Sequence, residues 1–174
     1  INLSAIENTL FNHMFKQVYA IIEKTSGAEK KDLKKMFDAN IDLRNFTRIS
    51  RLKKYYQLEP DEIKKQLLPF GSLKEKQLEA LCNAQDEKEL LSIINQTSAG
   101  RILAKVEYNS DFEIPRRALY QESYKRMYFS VNPSVVLVAY FALAETETEN
   151  IIHIIEGVRY KVPDETVKKL LIYK

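Results

Sequence analysis

Residues 41–69 read IDLRNFTRISRLKKYYQLEPDEIKKQLLP, and residues 147–172 read ETENIIHIIEGVRYKVPDETVKKLLI. The two stretches are loose copies of each other. Each carries an acid, two variable residues and an asparagine, Asp42 with Asn45 and Glu147 with Asn150, and each runs on to a Pro-Asp-Glu triplet at Pro60 or Pro163. The same order at a nearly constant offset is the mark of a duplicated structural unit. The triplet itself opens a helix, because proline is tolerated in a first helical turn and acids there sit at the positive end of the helix dipole.

Working outward from the first copy, residues 3–24 place Ile6, Leu10, Phe11, Met14, Val18, Ile21 and Ile22 at helical spacing, with Gly27 as a stop. A longer helix is expected over residues 30–56 with the acid–asparagine pair in its middle. Short helices follow at 60–68, 74–83, 86–96 and 100–108, with Ser72 and Asp86 as candidate caps. The second copy repeats the layout. A helix at 115–129 precedes Asn132 and Pro133, which suit the N-cap and first-turn positions of a long helix to Tyr160, and a short helix at 164–172 follows. The fold class is therefore all-α: two related helical-hairpin modules, residues 1–108 and 109–174, packed together without a glycine-rich linker.

Composition agrees with that class. Among 174 residues, 45% are hydrophobic, enough for a sizeable core, while 4 glycines and 5 prolines leave room for long helices. The 27 basic and 24 acidic residues nearly cancel at a net charge of +3, so no polyanionic partner and no nucleic acid is implied. The single Cys82 excludes an intrachain disulfide framework and fits a reducing compartment. The most apolar run, residues 135–144, is far shorter than the roughly 20 residues a membrane span needs, so direct membrane insertion is not expected.

An acid and an asparagine in mid-helix need a reason. At roughly 100 degrees per residue, Asp38, Asp42, Asn45, Ile49, Leu52 and Tyr56 fall on one stripe, so Asp42 and Asn45 share a face with apolar neighbours. A buried carboxylate is costly without partners, so Asp42, Asn45 and their counterparts Glu147 and Asn150 are expected to bond nearby backbone or basic groups and fix how helices cross. On the same helix Arg44, Arg48, Arg51 and Tyr55 lie within an arc of roughly 60 degrees. That stripe is either a solvated face or a docking surface for acidic groups, since arginine pairs bidentately with carboxylates. A helix of this length does not resemble the short recognition helix of a helix-turn-helix.

No catalytic constellation emerges. The 2 histidines, His13 and His153, lack metal-ligand spacing; Gly27, Gly71, Gly100 and Gly157 are too scattered for a phosphate loop; and Glu145, Glu147 and Glu149 do not converge on one helix face. No cofactor or metal is expected.

The ordered series IDLRNFTRISRLKKYY, LEPDEIKKQLLPFGSL and NAQDEKELLSIINQT resembles the C-subunit family of the bacterial and archaeal V/A-type ATPases, whose eukaryotic counterpart is the d subunit of the V-ATPase. The matching positions are Asp42, Asn45, Arg51, Lys53, Pro69 and Gly71, then Tyr140, Glu145, Glu147, Asn150 and Gly157; Ala144 and Ile152 depart, standing where the family has lysine and often arginine. The resemblance implies a non-catalytic, funnel-shaped rotor part of three related helical modules, a socket that seats the central-stalk subunits on the membrane ring during proton or sodium transport. It implies a peripheral position at the cytoplasmic face of the membrane. The family is about twice as long, so the chain is expected to be its C-terminal half, with two modules and one socket wall missing. The alternatives from the residues alone are a general helical interaction scaffold and, behind it, a helical nucleic-acid binder.

Overall fold

The computed structural model describes residues 3–104 and 114–173, and the chain divides into two compact units, Ile1–Lys105 and Val106–Lys174. All regular structure among the described residues is helical. The first unit holds α1 (Leu3–Lys24), α2 (Gly27–Arg51), α3 (Pro60–Lys64), α4 (Glu75–Asn83), α5 (Glu87–Asn95) and α6 (Ser98–Leu103). The second holds α7 (Ile114–Phe129), α8 (Pro133–Tyr160) and α9 (Asp164–Leu170).

In the first unit α1 and α2 pack against each other around Phe15, Ile41 and Leu68, with Phe11, Tyr19, Phe37 and Phe70 closing the cluster. The rings interlock: Tyr19 stacks on Phe70 at 5.2 Å between centroids, and Phe15 meets Phe70 at 6.4 Å. Deep in α2, Ile41, Leu43 and Ile49 are fully buried. The remaining short helices wrap this hairpin, and α4, α5 and α6 all contact α2. Local chemistry sets their starts. Asp86 accepts from the Glu89 N–H at 2.8 Å and Thr97 from the Gly100 N–H at 3.2 Å, each satisfying a donor that the helix leaves free.

Several features differ from the sequence expectation. The helix expected at 60–68 stops at Lys64 and gives way to turns, which frees the backbone of Leu68 for a partner outside the helix. The long helix ends its α geometry at Arg51 and continues as a π-helical turn, Leu52–Tyr56, which stops where Gln57 adopts a left-handed φ of 49°. Ser72 does not cap α4; Lys74 occupies that position, its N–H bonded to Gln77 Oε1 at 2.9 Å, and the Ser72 hydroxyl is engaged elsewhere. Asn132 is extended before Pro133 but makes no side-chain capping bond. The helix expected from Gly100 begins earlier, at Ser98, behind its Thr97 cap, and runs to Leu103; positions 105–108 lie outside the described residues.

In the second unit α7 lies along α8, and α9 returns against the end of α8. The α8 residues buried are Val135, Ala139, Leu143 and Gly157. The first three repeat every fourth residue and define one narrow stripe. Gly157 lets α9 approach: a Cβ there would meet Val167 Cγ2 at 2.5 Å. Arg116 of α7 pairs with Glu149 of α8, and Arg117 donates to the Lys169 carbonyl at 2.7 Å, tying all three helices.

Candidate functional site: the acid–asparagine joints

The polar pair in α2 is buried as a unit. Asn45, 1% exposed, donates Nδ2–H to the Leu68 carbonyl at 3.0 Å and accepts the Leu68 N–H on Oδ1 at 2.9 Å. A primary amide carries a donor and an acceptor side by side, as a peptide edge does, so one side chain satisfies both polar groups of a single backbone residue. Leu68 follows α3 where helical bonding has stopped, and its two backbone groups would otherwise be orphaned in the core. The joint therefore fixes the chain 23 residues further on to the C-terminal half of α2.

The same joint recurs in the second unit. Asn150 donates to the Ile172 carbonyl at 2.7 Å and accepts the Ile172 N–H at 3.0 Å, across 22 residues. Thus two asparagines on two long helices each grip the backbone residue that follows a Pro-Asp-Glu helix.

The acids behave differently. Asp42 is fully buried, and its carboxylate accepts the Ser72 N–H at 3.1 Å, the Ser72 hydroxyl at 2.6 Å and the Leu73 N–H at 3.2 Å. Gly71 makes this possible: its φ of 105° is reserved for glycine, and a Cβ would collide with Asp42 Oδ1. Burial raises the Asp42 carboxyl above the ordinary carboxylate range, opposed by the Ser72 hydroxyl and the two backbone donors and reinforced by Asp38. Ser72 extends the latch to the start of α6 through the Ser98 hydroxyl at 2.9 Å. In the second unit Glu147, the counterpart of Asp42, is exposed.

The basic stripe of α2 divides along its length. Arg48 is turned inward: Nη1 donates to Asn8 Oδ1 at 2.7 Å and to the Gln66 carbonyl at 2.5 Å, so it links α1, α2 and the segment after α3. Burial lowers its pKa, and Glu7 works in the opposite sense. Arg44 lies 5.3 Å from the centre of the Phe11 ring and donates Nε–H to Asn40 Oδ1 at 2.7 Å, although its side chain is exposed. Arg51 is exposed, and Tyr55, 60% exposed, lies under the Lys54 ammonium at 5.8 Å. The structure thus places the three arginines on α2 and Tyr55 in the π-helical turn that follows, and it groups Arg44 and Arg48 with α1, apart from Arg51 and Tyr55.

Several polar contacts had no local signal in the sequence. Tyr19 of α1 hydrogen-bonds Asp38 of α2, and burial first, then that bond, raises the phenol pKa. Lys53, in the π turn, donates to the Ala84 carbonyl at 2.9 Å. These partners are 19 and 31 residues apart, beyond the reach of any short motif. Among the described residues no group of three or more His, Cys, Asp or Glu is placed to share a metal ion, and no helix is long and apolar enough to cross a membrane.

Comparison with known proteins supplies the context for this geometry. The C subunit of the A-type ATP synthase of Pyrococcus furiosus is 22% identical over 178 residues, an alignment that covers 98% of this chain and 48% of the relative, so the chain spans about half the length of that protein. No solved structure matches the chain. A family model described as the ATP synthase (C/AC39) subunit matches residues 1–170. With every described helix inside that match, the chain belongs to the ATP synthase (C/AC39) subunit family.

Proposed function

We propose that the chain serves as a non-catalytic part of the central-stalk rotor of a V/A-type ATPase, a socket coupling the rotating stalk to the membrane ring while protons or sodium ions are moved. It acts peripherally, at the cytoplasmic face of the membrane, through stalk and ring subunits. The supporting observation is the repeated amide joint: both long helices are pinned in their C-terminal halves by a two-bond contact that resists sliding and rotation together. A part that passes torque between two partners needs such stiffness, because packed interiors with satisfied polar networks deform little. Asp42, Asn45 and Asn150 are then mechanical residues, and the exposed Arg51 and Tyr55 are candidates for partner contact.

The test uses the protein immobilised and challenged with purified central-stalk subunits of a V/A-type ATPase and, separately, with the membrane ring. Retention of either is the expected result. Retention of neither would refute the rotor assignment.

A further inference from the structure

Asp42 differs from the two joint asparagines in being able to change its charge. It is fully buried, and among the described residues it forms no ion pair, so hydrogen-bond donors alone meet its charge. The Ser72 N–H lies 3.1 Å from each carboxylate oxygen, the Leu73 N–H 3.2 Å from Oδ1, and the Ser72 hydroxyl 2.6 Å from Oδ2. The last separation is that of a charge-assisted O–H···O bond. Beyond it Ser72 Oγ meets Ser98 Oγ of α6 at 2.9 Å, and both serines are exposed. An unbroken row of oxygens, Asp42 Oδ2, Ser72 Oγ and Ser98 Oγ, therefore leads from the buried face of α2 to water.

Backbone donors cannot reverse, but hydroxyls can, since each carries one donor and two acceptor lone pairs. With Asp42 ionised, Ser72 donates to Oδ2 and its own oxygen is open to a bond from Ser98. With Asp42 neutral, the proton belongs on Oδ2, because Oδ1 is held by two N–H groups. The carboxyl then donates to Ser72, whose O–H turns to Ser98 Oγ. The row is satisfied in both states, with each hydroxyl reversed. Its surroundings hold the two states in tension. Burial and the like charge of Asp38, one turn earlier on α2, favour the neutral form, whereas the Ser72 hydroxyl and the two N–H groups favour the charged one. The charged and titratable groups on the neighbouring faces, Tyr19 of α1 and Lys34 of α2, are engaged by Asp38 and leave Asp42 to the serines.

We propose that Asp42, Ser72 and Ser98 form a proton-coupled clasp: as Asp42 gains or loses its proton, the Ser72–Ser98 bond exchanges donor and acceptor, and the turn before α4 stays tied to both α2 and α6 in either charge state. The two serines are also the path by which the buried carboxyl exchanges its proton with water, so the proton moves along the row while the helices stay in place. The clasp belongs to the first unit and holds whatever the chain's partners are. In the second unit Glu147 is exposed and reaches water without a relay.

Carboxyl carbon NMR of the protein follows each acid through its titration, and Asp42→Asn identifies the Asp42 signal by its loss. Ser72→Ala removes a donor to the charged form, so the Asp42 midpoint should rise. Ser98→Ala removes the acceptor that the neutral form needs, so the midpoint should fall, by about half a pH unit for one hydrogen bond. Ser98→Thr keeps the hydroxyl and should titrate like the original chain. Ser98 is exposed and Thr97 still caps α6, so both Ser98 variants should melt close to the original, and they decide the matter even where Ser72→Ala is too unstable to titrate. A Ser98→Ala midpoint that is unchanged or raised, or a fall that Ser98→Thr reproduces, would overturn the clasp.

Discussion

Replacing Asn45 with leucine isolates the joint from everything around it. Leucine branches at Cγ as asparagine does, so it approximates the shape while removing both hydrogen bonds to Leu68. The N–H and C=O of Leu68 then stay buried without partners, since Leu68 itself is 2% exposed. Each of the two unsatisfied buried groups costs about 1–3 kcal/mol, and the added apolar burial of leucine returns about 1 kcal/mol, leaving a net loss of about 1–5 kcal/mol. For a unit of this size that corresponds to a melting point lower by about 5–20 °C. The assay is thermal unfolding followed by circular dichroism, with alkylation of Cys82 as a second probe that reports the first unit alone. Asn45→Asp keeps the acceptor for the Leu68 N–H but turns a carboxylate towards the Leu68 carbonyl, so it should also destabilise, more at neutral than at acid pH. Asn150→Leu should cost less, about half as much, because that joint is only partly buried. An Asn45→Leu chain melting within about 2 °C of the original would refute the joint as a source of rigidity.

Three further outcomes are expected. Gly71→Ala should destabilise the first unit by about 2 kcal/mol or more, because the new methyl meets Asp42 Oδ1 and the φ of 105° is strained for alanine; urea unfolding measures it, and a neutral result would show that the latch is loose. Since burial raises the Asp42 carboxyl, the folded chain keeps that proton where the unfolded chain has lost it, so this group's contribution to stability is fullest below the ordinary carboxylate range and declines as the pH rises above it. The difference in melting temperature between the original chain and Asp42→Asn should therefore fall from about pH 3 to pH 7, and a difference that grows with pH would contradict the burial argument. Cys82 is 1% exposed and burial pushes its thiol pKa up, so alkylation in the folded state should be slow and should accelerate in step with unfolding; rapid labelling of the native chain would count against the packing of α4.

What the sequence revealed depended on whether the deciding contact was local. Helix α1 was legible at Leu3–Lys24 because its apolar positions repeat at helical spacing and glycine follows, and α8 was legible from Pro133 to Tyr160 for a similar reason. The burial of Asp42 and Asn45 was legible too, from their place among apolar neighbours on one face. Their partners were not, because Leu68 and Ser72 are brought in by a turn 23 to 30 residues away. Ser72 shows the conflict in one residue: the local rule offers it as a cap for α4, but the Asp42 carboxylate, delivered by the tertiary fold, takes both its N–H and its hydroxyl. Arg48 shows the reverse. Its spacing with Arg44 and Arg51 suggested one outward stripe, yet Asn8 and Gln66 draw its guanidinium inward. In α8 the apolar residues surround the helix, so the pattern alone could not tell the Val135–Ala139–Leu143 stripe that is buried from the Ile151–Ile154–Val158 run that is not.

That difference between α2 and α8 bears on why the joints are polar. An apolar contact between a helix and a following segment tolerates slippage, because one methyl group serves nearly as well as the next. An amide gripping one backbone residue does not, since a shift of one position leaves a donor and an acceptor unmatched at once. The same grip is present in both units and an acid stands three residues before the asparagine in both, but among the described residues a turn meets the acid only in the first. The asparagine thus fixes a following segment to the long helix in each unit, and in the first unit Asp42 adds a second tie, to the turn before α4. In the second unit Glu147 is exposed, and the amide joint holds without it.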